Sequence, residues 1–265
     1  MATATLNALP TLPPLLLAGV LALAGASTAG GQIVNVERLR LDRDGQGWVG
    51  AASANFDLQR NQRSVLSLRG KAHLQLRRDS NATLLFGEAG VVSASDRDLV
   101  NFAVGHLRHT RRLTDGVYAE AFTQLQQNRV NGIASRWLVG AGPRFRLARG
   151  RPVTAYLGTL VMREREREVT DSIPLRRHWR ASVYLAASYT PRASDWVTVA
   201  TTTYLQPRLG TWDDVRVATD WSVQVRLREN LSLVTSLNLV YDARPPLGLD
   251  RATYALLNGL KVRFG

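Results

Sequence analysis

Histidine and serine are the residues of this chain that could form a hydrolytic site, but no serine lies two positions after a histidine. A hydrolase needs a nucleophile within hydrogen-bond reach of a base. On a β-strand, a His-x-Ser pair meets this need because alternate residues share a face. The four histidines are His73, His106, His109 and His178, and they are followed two positions later by Gln75, Arg108, Arg111 and Arg180. We therefore predict that the protein is not an enzyme.

Motifs for metals and nucleotides are also missing from the sequence. There is no His-Glu-x-x-His, no acidic loop of the calcium-binding type and no glycine-rich phosphate loop between a strand and a helix. The absence of cysteine excludes a disulfide scaffold, a thiol nucleophile and a thiolate metal site. We predict no metal site and no cofactor.

Basic residues are the strongest chemical signal, with 34 Lys and Arg against 21 Asp and Glu and a net charge of +13. Clustered on one element, they would indicate nucleic-acid binding. They are instead spread along the chain at alternate positions. This pattern fits a polar barrel interior, turns and the lipopolysaccharide level of a membrane, so we predict no nucleic-acid partner.

The elements that position these residues are predicted to be β-strands of alternating polarity. The last strand shows the pattern most clearly. Its apolar parity carries Tyr254, Leu256, Leu260, Val262 and Phe264, and its other parity carries Thr253, Gly259, Lys261 and Arg263, with Asn258 as an exception on the apolar side. Such a segment of about ten residues is typical of a transmembrane β-strand with one face toward lipid and one toward the lumen.

About twelve such segments follow residue 47, an even number that an antiparallel barrel needs. No segment has the 18 or so consecutive apolar residues of a membrane helix. Tight turns such as 114–116 alternate with longer connections such as 163–174 and 242–250. The predicted fold is all-β, a transmembrane antiparallel up-and-down barrel of about twelve strands; a soluble β-sandwich is the main rival.

The N-terminus predicts export. Residues 1–36 carry no charge, and an apolar run from Pro13 to Ala24 precedes small residues that allow cleavage after Ala26 or Ala29. A retained anchor is the alternative. We predict a signal peptide over 1–29, a hairpin or lead-in segment over 30–47, and a single barrel over 48–265. The predicted location is the outer membrane of a Gram-negative bacterium, with insertion by the barrel assembly machinery.

The alternation of inward and outward residues along the predicted strands indicates a basic lumen. The cations assigned to it are Arg69, Lys71, Arg108, Arg144, Arg146, Arg180, Arg216, Arg226, Lys261 and Arg263, and the acids are Asp57, Glu88, Glu120 and Asp220. Because charges inside a barrel must be paired or hydrated, the excess cations must face water or a bound anion. This predicts a narrow anion-preferring path, and the alternative is a closed, salt-bridged lumen.

Several separated motifs also resemble a known family. They are Ile33 to Arg38, Tyr118 to Gln124, Leu138 to Arg144, Tyr204 to Pro207 and Asn258 to Lys261. Together they resemble the bacterial family named domain of unknown function 481, often labelled salt-induced outer-membrane proteins, over Ile33 to Phe264. The resemblance implies an outer-membrane barrel and transfers no catalytic residue.

Two classes of function therefore remain. The first is a structural or envelope-stress barrel, with or without a narrow anion-preferring pore, whose partners are outer-membrane lipid, lipopolysaccharide and small anions. The second is an outer-membrane lipid-modifying enzyme of the phospholipase or lipopolysaccharide deacylase type. The second needs a remote serine to reach one of the histidines in the folded chain.

Overall fold

A computed structural model of the protein describes residues 46–60, 64–94, 97–170, 175–194, 196–246 and 248–262. The predicted signal peptide and the predicted lead-in segment up to residue 45 lie outside these ranges. The strands are β1 (Gly47–Arg60), β2 (Ser64–Arg78), β3 (Asn81–Ala94), β4 (Arg97–Thr114), β5 (Val117–Asn128), β6 (Ile133–Ala148), β7 (Val153–Glu168), β8 (Arg176–Tyr189), β9 (Val197–Arg208), β10 (Thr211–Arg228), β11 (Leu231–Asp242) and β12 (Ala252–Val262).

Each strand pairs antiparallel with the next in a single sheet ordered from β1 to β12. The sheet curls into a barrel, because side chains from strands that are not neighbours meet inside it. Tyr184 on β8 donates a hydrogen bond to Glu120 on β5, and Arg216 on β10 donates to Glu164 on β7. The predicted all-β, twelve-stranded, up-and-down fold is confirmed. Among the described residues, no hydrogen-bonded register joins β12 to β1.

The alternation of the sequence explains which face each strand buries. On β5, Glu120, Gln124 and Gln126 face inward and are buried, whereas Leu125 faces outward and is 60% exposed. On β8, the outward face runs from Trp179 to Tyr189, ten residues along the strand. At about 3.3 Å per residue and a tilt of 35–45°, these aromatic residues bracket an apolar band about 25 Å tall, the height of a bilayer's hydrocarbon core in such barrels. No helix among the described residues is long and apolar enough to cross a membrane.

Polar side chains on the outward face are hydrogen-bonded to each other across neighbouring strands. The pairs are Thr83 with His109 (2.9 Å), Thr123 with Trp137 (3.0 Å), Thr203 with Thr219 (3.2 Å) and Thr235 with Asn258 (2.7 Å). Asn258 was the exception to the apolar parity of the last strand, and Thr235 satisfies it. Such pairing is what an exterior without competing water requires, because an unsatisfied polar group in an apolar medium is costly.

Replacing Thr235 with valine is expected to destabilise the barrel by about 1–3 kcal/mol, because it leaves the Asn258 amide without its partner on an apolar surface. The measurement is the free energy of unfolding in urea with the protein in lipid vesicles. The double variant Thr235→Val with Asn258→Leu removes both polar groups and should recover most of the loss. Equal destabilisation by the single and double variants would contradict a water-poor exterior.

The strands extend further than their apolar alternation predicted. β6 begins at Ile133, β10 begins at Thr211, and β7 ends at Glu168, so residues 163–168 of the predicted connection 163–174 belong to β7. We call the end of the barrel where these extensions lie the outer end. Its connections at 169–175 and 243–251 are long, as predicted, but Leu209 and Gly210 alone join β9 to β10. Part of the predicted loop sequence is therefore strand.

Candidate functional site in the barrel interior

A polar network occupies the middle of the barrel. The Arg108 guanidinium on β4 donates to a Glu120 carboxylate oxygen on β5 at 2.6 Å, and Tyr184 Oη donates to the other oxygen at 2.6 Å. Arg144 on β6 donates to Tyr184 Oη at 3.2 Å, and His106 Nδ1 lies 3.0 Å from the Gln124 side-chain oxygen. These side chains are at most 5% exposed. Glu120 therefore ties strands from both sides of the interior together.

Glycine makes room for the large rings of this network. A Cβ atom on Gly158 of β7 would lie 2.1 Å from Tyr184 Cε1, and one on Gly140 of β6 would lie 2.6 Å from Phe122 Cε1. No real Cβ contact is that short, so any larger residue would displace a ring. The rings can then pack closely against this wall of the lumen, where Tyr184 and Phe122 are 1% and 4% exposed.

A second, more highly charged network lies toward the outer end, and Glu164 on β7 is its centre. The Glu164 carboxylate accepts from Arg180 Nε at 2.7 Å and from Arg216, and it lies 3.1 Å from Arg136 Nε. Arg136 also donates to Glu166 at 2.6 Å. Further carboxylates complete the set: Asp214 accepts from Arg180 at 2.7 Å, and Asp242 accepts from Arg216 at 2.8 Å.

This outer network, which we define as Arg136, Glu164, Glu166, Arg180, Asp214, Arg216 and Asp242, links β6, β7, β8, β10 and β11. Arg136, Glu164 and Arg180 are at most 1% exposed. Between it and the middle network lies an apolar layer that includes Leu138, Leu160 and Met162. The interior beside β6 and β7 is therefore packed with paired charges at two levels and with apolar side chains between them.

The structure places most of the predicted lumen residues inside the barrel. Arg108, Arg144, Arg180 and Arg216 are buried and paired, as are the predicted acids Glu88 and Glu120. Arg69 is half-buried over the Phe102 ring. Asp220 is half-buried, whereas Asp57 and Arg226 are exposed. Lys261 belongs to β12, but its side chain is outside the described part of the chain, and Arg263 lies beyond it.

Arg146 lies at the opposite, inner end of the barrel. It donates to Tyr118 Oη at 3.0 Å and to the Asp115 carboxylate in the β4–β5 turn. The hydrogen bond from Arg146 lowers the pKa of Asp115. Arg146 thus caps the packed interior at its inner end and does not project into an open channel.

Three interior ion pairs each combine a partly exposed cation with a buried carboxylate. Lys71 is 46% exposed and its partner Glu88 is 5% exposed; Arg176 is 37% exposed and Glu168 is 4% exposed; Arg208 is 30% exposed and Asp214 is 6% exposed. In each pair the carboxylate is buried against the wall and the cation reaches solvent. The solvent-facing surface of these pairs is therefore cationic even though the pairs themselves are neutral.

Sequence reasoning missed five carboxylates that face the interior: Glu164, Glu166, Glu168, Asp214 and Asp242. It also missed Arg136, Arg176 and Arg208. All of them lie in the strand extensions at the outer end. In β7 the alternating charges of Arg163 to Glu168 form one cationic and one anionic face. Continuing the inward parity from Met162 through Glu164 would have placed the anionic face inside.

Two other kinds of chemistry can be judged from the geometry. Among the described residues, no group of three or more His, Asp and Glu side chains is placed to hold a metal ion. A hydroxyl does approach a histidine, because Thr83 Oγ1 lies 2.9 Å from His109 Nδ1 on the outward face. This contact has the spacing of a nucleophile and a base, although it belongs to the set of four outward polar pairs described above.

Comparison with known proteins gives a family and two partial structural likenesses. A structure described as NanC porin has 8% sequence identity and a TM-score of 0.46, and the match covers 82% of this chain and 98% of that one. A bacterial polysaccharide outer membrane secretin has 9% identity and a TM-score of 0.44, with 82% and 91% covered. No curated protein matches the chain in sequence. The chain belongs to DUF481, a family described as protein of unknown function, whose profile matches residues 34–264.

Proposed function

We propose that the protein is an integral outer-membrane barrel that provides a narrow, anion-preferring path beside a packed interior. The observation that carries this proposal is the exposure of the cation, and the burial of the carboxylate, in the pairs of Lys71, Arg176 and Arg208. An ion entering from the outer end meets Arg176 and Arg208 first and Lys71 further along the interior. A lumen lined by exposed cations attracts anions and repels cations.

The membrane location is supported by the exterior. Large apolar side chains are exposed on most strands, including Phe56 at 68%, Leu205 at 44% and Tyr254 at 76%. An apolar surface of this extent needs a cover. Lipid suits it, because pairs of outward polar side chains on neighbouring strands bond each other and need no water.

The path we propose enters at the outer end past Arg176 and Arg208 and continues past Lys71 along the walls formed by β1, β2, β11 and β12. On β1, β11 and β12 the inward side chains are mostly short, such as Ser53, Ser236 and Ala255, whereas the opposite half holds Tyr184, Arg180 and Met162. Twelve strands enclose more space than side chains from one half can fill. A thin aqueous route beside the packed half is the consequence.

Planar-bilayer recordings of the purified protein test this function. We expect small single-channel currents and, in a salt gradient, a reversal potential that shows chloride permeating better than potassium. Cation preference would overturn the assignment of the exposed basic residues to the path. Complete absence of current in correctly folded protein would favour the alternative, a closed structural barrel held by its salt bridges.

The lipid-modifying alternative has only the Thr83 and His109 contact in its favour. We infer that this contact is structural, since three other outward pairs satisfy polar groups in the same way. Hydrolysis of phospholipid or lipopolysaccharide by the purified protein, lost on His109→Ala, would reverse this conclusion.

A further inference from the structure

The outward face of the barrel at its outer end carries an unusual concentration of positive charge. Arg163, Arg165 and Arg167 on β7 face outward, because Glu164, Glu166 and Glu168 on the same strand face inward. Arg177 on β8 lies directly opposite Arg165. We call these four residues, Arg163, Arg165, Arg167 and Arg177, the arginine face. No carboxylate among the described residues forms an ion pair with any of them.

This arrangement is costly without a ligand. Like charges that face each other across a strand pair repel, and Arg165 and Arg177 are such a pair. A solvated strand surface usually mixes charges of both signs, whereas here the acidic half of the sequence has been taken into the interior. A bound anion would remove the repulsion, and guanidinium groups bind phosphate in a fork geometry that suits this task.

The surroundings of the arginine face indicate that the anion belongs to an amphiphile. Trp137 on β6 lies opposite Arg165, and Trp179 on β8 lies opposite Arg163, which stacks on its ring at 5.2 Å. Tryptophan side chains favour the boundary between hydrocarbon and headgroups. One step toward the membrane centre, the outward residues Val139 and Val161 are apolar. Toward the membrane centre, the arginines are followed by the tryptophans and then by the valines. This order matches that of the charged headgroups, the polar boundary and the acyl chains of a lipid monolayer.

Two clefts flank β7 on this outer surface. One has a volume of about 500 Å³ and combines Arg163, Arg177 and Arg208 with Val161, Trp179 and Leu209, and His178 also lines it. The other has a volume of about 480 Å³ and combines Arg165 and Arg167 with Leu125, Trp137 and Leu175. Each cleft therefore offers at least two guanidinium groups above apolar and aromatic walls.

We propose that the arginine face and its two clefts bind the phosphorylated headgroup and acyl chains of lipopolysaccharide in the outer leaflet. The guanidinium groups bind the phosphates, Trp137 and Trp179 lie at the glycolipid's polar boundary, and the aliphatic ends of the clefts take the acyl chains. The four arginines of this site are on the exterior, and the test of lipid binding does not depend on conduction through the lumen.

The test is binding of lipopolysaccharide to the purified, folded barrel in detergent, compared with the same lipopolysaccharide after enzymatic removal of its phosphates. We expect the triple variant R165Q/R167Q/R177Q to bind at least about tenfold more weakly, since each juxtamembrane cation adds measurably to the binding of anionic lipid. Dephosphorylated lipopolysaccharide should bind wild type with a similar loss. The matched control R78Q/R111Q/R149Q removes three exposed arginines from the inner end and should bind as wild type does.

Undiminished binding by the first triple variant, or an equal loss in the control, would overturn the proposal. So would equal affinity of wild type for the dephosphorylated form. Inorganic phosphate is the competitor that separates a free-anion site from a lipid site: displacement of lipopolysaccharide by low millimolar phosphate would overturn the amphiphile assignment. Heat-modifiable gel migration confirms folding of every variant, and R177Q alone, with an expected loss of about fivefold, serves if the triple variant does not fold.

Discussion

Replacing Glu164 with glutamine is expected to destabilise the barrel by on the order of 3–5 kcal/mol. The change keeps the size of the side chain but removes the negative charge that Arg136, Arg180 and Arg216 share. All three guanidinium groups are at least nine-tenths buried, so water cannot compensate them. Breaking a buried pair from one side leaves an uncompensated charge, which costs much more than the pair contributes. The measurement is the free energy of unfolding in urea. The folded fraction at each urea concentration is read from the different gel migration of the folded and unfolded forms.

The matched control for this variant is Asp213→Asn. Asp213 is bonded to Arg244 at 2.7 Å, a distance like those around Glu164, but the two side chains are 72% and 51% exposed. An exposed pair of this kind contributes at most about 1 kcal/mol. If both variants lost the same small amount, the outer network would not be the stabilising centre of the barrel interior.

The sequence predicts the facing of the strands better than it predicts their ends. Arg108 and Glu120 could be assigned to the lumen because an alternating strand has only two faces, and one of them is apolar. The extension of β7 through Glu168 could not be seen in the same way, because Arg163 to Glu168 has no apolar face at all. What makes it a strand is pairing with β6 and β8, and what buries its glutamates is the presence of arginines on other strands.

Those partners also explain why the site was only partly predictable. Arg216 contacts Glu164 across the lumen, 52 residues away in sequence. No local pattern shows which two strands of a barrel will face each other across its interior, since that depends on how the sheet curls. Nor does alternation show that one half of the lumen is filled by Phe122, Leu138 and Met162. The simple expectation of a polar interior and an apolar exterior is therefore correct for the exterior and incomplete for the interior.

The distinction between buried and exposed cations changes which residues should govern ion selectivity. Parity alone assigns Arg144 and Arg146 to the lumen together with eight other cations. In the structure Arg144 is bonded to Tyr184 and Arg146 to Tyr118 and Asp115. Reversing their charge would therefore disturb the packed interior more than it would alter the field met by a passing ion.

Reversal of the exposed cations is expected instead to invert the selectivity. The variant K71E/R176E/R208E places three carboxylates where positive groups reach solvent, beside the buried partners Glu88, Glu168 and Asp214. The field in the path then becomes negative, and potassium should permeate better than chloride in a bilayer salt gradient. Since each new carboxylate also faces a buried one, the neutral variant K71Q/R176Q/R208Q is made in parallel, and it should lose the preference for chloride without gaining one for potassium.

The matched control for this pair of variants is R163E/R165E/R167E, which changes the net charge by the same amount on the outside of the barrel. In a lipid bilayer without lipopolysaccharide it should conduct with the selectivity of wild type, because the barrel wall separates these residues from the path. An inversion in this control would mean that the overall charge of the protein sets the preference. Unchanged selectivity in both interior variants would show that ions do not pass Lys71, Arg176 and Arg208, and would remove the observation on which the proposed anion path depends.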